Sequence, residues 1–261
     1  MGKTIAIIQA RMGSSRLPGK VLLDLGGQSM LARVLNRASR TSGLDSLVVA
    51  TTHDKGDDVL QEFCEQAGFA CFRGDPYDVL GRYYRCAKMV EAETVVRITA
   101  DCPFIAPEEI TRVLEVYQKG DYDFVANRLP PPFKRTTPIG MDTEVVSFAN
   151  LEQAWQEAKE PYEREHVMPY FYDTVGRFKV KLVQRCPSLG NLRFTVDTPE
   201  DLALARQIYA AFENRDDFTL AELLATNAQH PEWQASVSAI KHKGFKDLDA
   251  RMPGGKEGAH V

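Results

Sequence analysis

Several things are scarce in this 261-residue chain, and each scarcity removes a class of protein. No apolar run approaches the ~20 residues that a membrane-spanning helix needs, and the chain does not open on a basic segment followed by an apolar stretch of secretory type. A cytoplasmic protein without a membrane partner is therefore expected. There is no basic excess either: 32 Lys and Arg stand against 36 Asp and Glu, a formal charge of −4. That balance argues against a dedicated nucleic-acid binder. The five cysteines are odd in number and form no CxxC pair, which suits reduced thiols better than a disulfide frame or a zinc site. Cys64, Cys71, Cys86, Cys102 and Cys186 are each expected as small buried side chains. Neither the Walker A pattern nor GxGxxG occurs at the amino-terminal loop, so the two commonest nucleotide fingerprints do not apply.

What the chain does have is concentrated near its start. Residues 4–10 are an almost unbroken apolar run, the pattern of a strand buried on both faces. The run breaks into Arg11-Met12-Gly13-Ser14-Ser15-Arg16-Leu17-Pro18-Gly19-Lys20, and no acidic residue appears before Asp24. Small residues let backbone N–H groups approach an anion closely, and Arg11, Arg16 and Lys20 add charge and donors. A solvated turn would also fit these residues. Strand, glycines and cations in that order favour a phosphate loop, and in an acidic protein such a local positive field points to an anionic ligand.

Beyond the loop the hydrophobic period alternates. Helical spacing is expected over 30–39, 57–67 (with Asp57 as cap), 78–90 and 107–119, and strands over 46–51, 70–72, 94–99 and 122–126. Such alternation predicts an α/β fold with a mostly parallel, doubly wound sheet, whose ligands sit at the carboxyl ends of the strands. Residues 127–137, with three consecutive prolines, interrupt the rhythm. Residues 127–186 are read as a small inserted antiparallel and helical subdomain, with strands at 141–148 and 178–183 outside the parallel series. A strand at 192–196 is expected to return to the main sheet. Thr198-Pro199-Glu200-Asp201 is a strong helix start. One domain over 1–243 and a loose tail over 244–261 complete this reading.

Two acids stand out. Asp101 and Asp197 are far apart in sequence, yet each follows an apolar run at a position expected to face the ligand cleft. Two carboxylates beside a cationic loop suit Mg²⁺, a hard ion that takes one or two carboxylates plus phosphate oxygens. Asp101 before Cys102-Pro103 also suits a turn, and Asp197 before Thr198 also suits a helix cap.

QARMGSSRLPGK (9–20), RITADCPFI (97–105) and FTVDTPEDL (194–202), in that order and spacing, resemble the cytidylyltransferases that make CMP-activated acidic sugars, such as the CMP-sialate and CMP-KDO synthetases. FRGDPYDVLGRYY (72–84), GMDTEVVSF (140–148) and REHVMPYFY (164–172) resemble the branch named for the spore coat polysaccharide protein SpsF. The likeness spans residues 3–212. It implies a Rossmann-like nucleotidyltransferase fold of the GT-A-like kind, CTP as substrate, Mg²⁺ as cofactor and a homodimer. It also implies that residues 10–16, namely Ala10, Arg11, Met12, Gly13, Ser14, Ser15 and Arg16, form the CTP loop. Arg11 and Lys20 would neutralise the phosphates, Asp101 and Asp197 would hold the metal, and Arg73 would lie on the nucleotide side. Catalysis would fall to Arg11, Lys20 and Asp101.

The function expected on this basis is transfer of CMP to a small anionic acceptor, with release of pyrophosphate, for cell-surface, spore or capsule polysaccharides. Asp142 and Glu144 are candidates for sugar hydroxyls, and Arg164 and His166 for the acceptor's anionic group. The 163–165 run also fits a charged helix face with local ion pairs, and His166 also fits a structural histidine. Two other readings stay open: a metal-dependent glycosyltransferase using a nucleotide sugar, and a nucleotide-binding module without turnover. Pro103 stands where the glycosyltransferase Asp-x-Asp pair would need a second acid.

Overall fold

The computed structural model describes residues 2–240, and the tail expected at 244–261 lies outside them. Seven strands form one sheet: β1 (Lys3–Gln9), β2 (Ser46–Thr52), β3 (Ala70–Gly74), β4 (Ala92–Thr99), β5 (Phe124–Ala126), β6 (Glu144–Ser147) and β7 (Val180–Leu182). Their spatial order is β3-β2-β1-β4-β6-β5-β7. The first four strands run parallel. β6 lies antiparallel between β4 and β5, and β7 is parallel to β5. The segment 127–186 thus contributes two strands to the main sheet and carries three helices, α5 (Phe148–Glu157), α6 (Pro161–His166) and α7 (Pro169–Tyr172).

Both faces of the sheet are covered, and β1 shows why its sequence is continuously apolar. Ala6 and Ile8 point into one core with α1 (Met30–Ala38), α2 (Asp58–Ala67), α4 (Pro107–Lys119) and α8 (Pro199–Ala211). Ile5 and Ile7 point into the other, with α3 (Val79–Met89) and α5. Successive side chains of a strand face opposite ways, so both parities must be apolar. Two further helices, α9 (Leu220–Gln229) and α10 (Pro231–Val237), close the first core through Leu223, Trp233 and Val237. Three of the cysteines are buried as expected, whereas Cys71 is half-buried and Cys186 is exposed. Cys186 lies in the irregular chain after β7, where no core covers it.

The strand order reverses between β1 and β4, since β2 and β3 continue on one side of β1 and β4 begins the other. That reversal opens a crevice at the carboxyl ends of β1 and β4, where the loop after residue 9 and Asp101 emerge. Arg33 and Arg37 of α1, both fully buried, staple this layer from behind. Arg33 donates to the carbonyls of Leu25, Gly26 and Asn214, and Arg37 to those of Ile105, Asp216 and Phe218.

The strand expected at 192–196 does not form. Residue 193 makes a single parallel bridge with Ile139. The chain then turns toward β4, because the Val196 N–H and the Thr195 hydroxyl both donate to the Asp101 carbonyl at 2.9 Å. Gly140 permits this close crossing: its φ is +94°, and a Cβ there would lie 2.6 Å from the Phe194 backbone. A Gly140→Ala substitution is therefore expected to cost at least about 1–3 kcal/mol. Urea unfolding should show it as a lowered midpoint, and an unchanged midpoint would contradict the crossing.

Candidate active site

The loop after β1 folds on itself. The Gly19 N–H donates to the Met12 carbonyl at 2.9 Å, with Gly19 in the left-handed region at φ +69°. The Ser14 hydroxyl accepts from Leu17 N–H at 3.3 Å, while Ser15 sits exposed on the loop. Ala10, just past β1, still donates to the Ala50 carbonyl of β2. The turn closes at a short 3₁₀ helix, Lys20–Leu22, which sends the Lys20 side chain back under the loop.

Lys20 is the centre of the arrangement. Its ammonium donates to Asp101 Oδ2, Asp197 Oδ1 and the Val196 carbonyl, each at 2.9 Å. The two acids expected to converge do so. Burial alone would push the Asp101 carboxyl up, but the Lys20 charge and the Thr99 hydroxyl, 2.7 Å from Oδ1, bring it down to about 2. Desolvation works against the Lys20 charge, but the two carboxylates outweigh it and raise its pKa. Burial and the adjacent carboxylate push the Cys102 thiol well up, so it stays neutral. Arg16 pairs with Asp197 Oδ1 at 3.0 Å.

Beside this centre, Arg11, Met12, Gly13, Thr52, Asp54, Asp57 and Tyr77 line a cavity of about 260 Å³ over the ends of β1, β2 and β3. Asp57 was expected to cap α2. It stands at the cap position but makes no side-chain cap bond. Its carboxylate, 4 % exposed, instead accepts from Met12 N–H at 2.7 Å and from the Thr52 hydroxyl at 2.5 Å. A buried acid thus fastens the anion loop to the end of β2. Nothing in the local sequence distinguishes this role from capping, since Met12 is 45 residues away.

The remaining candidates are placed as follows. Arg73 donates to the carbonyls of Thr52 and Asp54, two residues that line the cavity, and pairs with Asp58 at 2.7 Å. It holds the β2–α2 connection. Asp142 accepts a forked pair from Arg135 at 2.5 and 2.8 Å. Glu144 pairs with Arg97 directly across the β4–β6 ladder at 2.5 Å. Because β6 runs antiparallel, its start lies at the ligand end of the sheet, so these pairs flank Asp101. Arg164 grips Asp78, the cap of α3, at 2.9 and 2.6 Å and donates to the Trp155 carbonyl. The pair is not local to the 163–165 run but reaches 86 residues back to another helix, and through Asp78 it braces the turn carrying Tyr77. His166 is half-buried at the last residue of α6, before the buried Val167 at φ +70°. Sequence reasoning missed Thr52, Arg97, Arg193 and Asp201. Arg193 donates to Asp201 twice at 2.7 Å and to Asp197 Oδ2 at 3.3 Å.

Comparison with known proteins gives the chain's relatives. A family profile described as cytidylyltransferase matches residues 5–224. The Bacillus subtilis spore coat polysaccharide biosynthesis protein SpsF is 32 % identical over 245 residues, covering 89 % of this chain and 97 % of its own. A 3-deoxy-manno-octulosonate cytidylyltransferase of Anaeromyxobacter sp. is 27 % identical, covering 81 % of this chain and 99 % of its own. The solved structure of a cytidylyltransferase from Leptospira borgpetersenii superposes with a TM-score of 0.84 at 31 % identity, covering 93 % of this chain and all of that one.

Replacing Asp57 by Asn leaves a buried acceptor with half its capacity. A loss of about 1–3 kcal/mol in stability is expected, with faster amide exchange at Met12. Unchanged Met12 exchange would remove Asp57 from the loop.

Proposed function

The chain belongs to the cytidylyltransferase family, and from that premise we propose that it transfers CMP from CTP to an acidic sugar or related anionic acceptor, using Mg²⁺ and releasing pyrophosphate. The products would serve surface polysaccharide synthesis, as the SpsF likeness suggests. The observation that carries the reading is the meeting of Asp101 and Asp197 on one cation beside a basic anion loop. An acceptor oxygen attacks the α-phosphorus and loses its proton, while the bond to the β-phosphate oxygen breaks and pyrophosphate leaves. Such a reaction needs alignment and charge neutralisation rather than covalent help from the protein.

The roles follow from position. The nucleoside half fits the cavity between the loop and Tyr77, and the triphosphate fits the loop's backbone and cations. Arg11 and Lys20 would take up charge on the leaving pyrophosphate. The acceptor fits the ligand end of β4 and β6, where Arg97, Arg135, Asp142 and Glu144 offer both signs of charge. Asp101 and Asp197 fit Mg²⁺: they are hard oxygen donors aimed at a single cationic point. Among the described residues no group of three or more His, Cys, Asp or Glu converges as a metal site, so substrate oxygens would complete the shell. When bound, the ion would lower the pKa of the attacking hydroxyl and neutralise charge on the phosphate.

A pyrophosphate-release screen crossing the common nucleoside triphosphates with ulosonic acids, sugar phosphates and phosphonates tests this directly. Release is expected with CTP alone, and Asp101→Ala and Asp197→Ala should each abolish it in a folded protein. Release from nucleotide sugars is impossible, so turnover of a UDP-sugar would favour the glycosyltransferase instead. Wild-type rates in both variants would overturn the roles given to the acids.

Because Lys20 already holds both carboxylates, metal alone competes with an ammonium. Mn²⁺ titration followed by electron paramagnetic resonance should therefore show tight binding to the wild type only with CTP present. In Lys20→Met, Mn²⁺ should bind without nucleotide. Equal nucleotide-free affinities in the two proteins would contradict this.

A further inference from the structure

The two acids at the centre are held in different ways. Asp101 follows β4, whose ladder with β1 runs through Ile98 and Thr99 and fixes its backbone. Asp197 follows no strand ladder: the chain before it is held by the bridge at residue 193 and by the bonds of Thr195 and Val196 to the Asp101 carbonyl. Its carboxylate is fixed instead by cations on both oxygens. Lys20 and Arg16 hold Oδ1, and Arg193 holds Oδ2. Two gripped oxygens fix the rotation of the carboxylate as well as its place.

Arg193 is in turn immobilised. It is 4 % exposed, and Asp201 accepts from its Nε and Nη2 at 2.7 Å each. Asp201 Oδ2 also accepts the backbone N–H groups of Asp197 and Thr198 at 2.9 and 3.1 Å. The remaining hold comes from far along the chain. Gln234 of α10 accepts the Arg193 N–H through Oε1 at 2.8 Å, and its amide nitrogen donates to Asn227 of α9 at 2.8 Å. The Arg193 N–H can only donate, so Oε1 faces it and the amide nitrogen faces Asn227. α10 is anchored by buried Trp233 and Val237, so Gln234 is presented from a rigid element. It also lies beyond residue 224, where the family match ends.

We propose that Gln234 and Arg193 are positioning residues: the carboxyl-terminal helix α10 holds Arg193, and Arg193 turns the Asp197 carboxylate toward Lys20 and Asp101. This inference rests on the proposed reaction only for its kinetic consequence. The geometric consequence stands by itself. A buried guanidinium with forked bonds is a stiff lever, so releasing its backbone shifts the carboxylate it holds. Displacements of about 1 Å in such supports cost on the order of 10²-fold in rate.

The test uses the full chain and three substitutions. Gln234→Leu removes the acceptor at nearly equal volume, Gln234→Glu keeps an acceptor oxygen, and Arg193→Met removes the lever. In crystal structures of Gln234→Leu and Arg193→Met, Asp197 is expected to leave hydrogen-bond distance of Lys20; Asp197 unmoved in both overturns the proposal. In the pyrophosphate assay, Gln234→Leu should lower kcat 10-fold or more with the CTP KM within about threefold, and Gln234→Glu should recover most of the rate. Equal losses in Gln234→Leu and Gln234→Glu would mark Gln234 as a structural residue of α10 and overturn it as well. Should the wild type release no pyrophosphate from CTP with any acceptor, the proposed function fails, and the crystallographic comparison alone decides the positioning role. If Arg193→Met does not fold, Gln234→Leu, which leaves every charge in place, carries the same comparison.

Discussion

One ammonium group organises this molecule's cleft. Lys20 stands 2.9 Å from carboxylates that arrive from residues 101 and 197, and neither acid could approach the other so closely without a cation between them. Buried like charges repel strongly, and their mutual cost is offset only by a well-placed opposite charge with further hydrogen bonds. Thr99, Arg16 and Arg193 supply those bonds. The loop is therefore folded against the acids rather than hanging over them, and the cleft is preorganised before a substrate arrives.

The sheet makes the encounter possible. Strand order reverses between β1 and β4, so the connections leaving these neighbours diverge and leave a crevice at their carboxyl ends. The anion loop leaves one side of the crevice and Asp101 the other. β6 enters antiparallel on the far side of β4 and brings its first residues to the same end. That single inversion puts the Arg97–Glu144 and Arg135–Asp142 pairs near the carboxyl end of β4. Two sets of charged side chains thus meet near Asp101, one fed by parallel strands and the other by the antiparallel strand.

The supports of the site are as informative as its contacts. Asp57 ties the loop to β2, Arg73 ties the β2–α2 connection to β3, and Asp78 with Arg164 ties α6 to the turn at Tyr77. Each is a charged side chain spent on backbone groups or on one opposite charge, the form in which partly buried charges are tolerated. Charged residues that look catalytic by type therefore divide into those facing the cleft and those bracing its walls. Arg164 belongs to the bracing set.

The sequence by itself determined the α/β class, the strand and helix alternation, the basic loop after the first strand and the convergence of Asp101 with Asp197 in one cleft. These are local signals: apolar period, small residues beside cations, and acids directly after apolar runs. The resemblance of ordered segments added the family. Only the tertiary structure decided that residues 192–196 bend to the end of β4 instead of forming a strand, and that Asp57 binds Met12 rather than capping α2. The same holds for the bonds of Arg97 to Glu144 and of Gln234 to the Arg193 backbone. Each of these depends on a partner tens of residues away or on a chain crossing allowed by one glycine, and no periodicity along the chain records which distant group a buried polar side chain will meet.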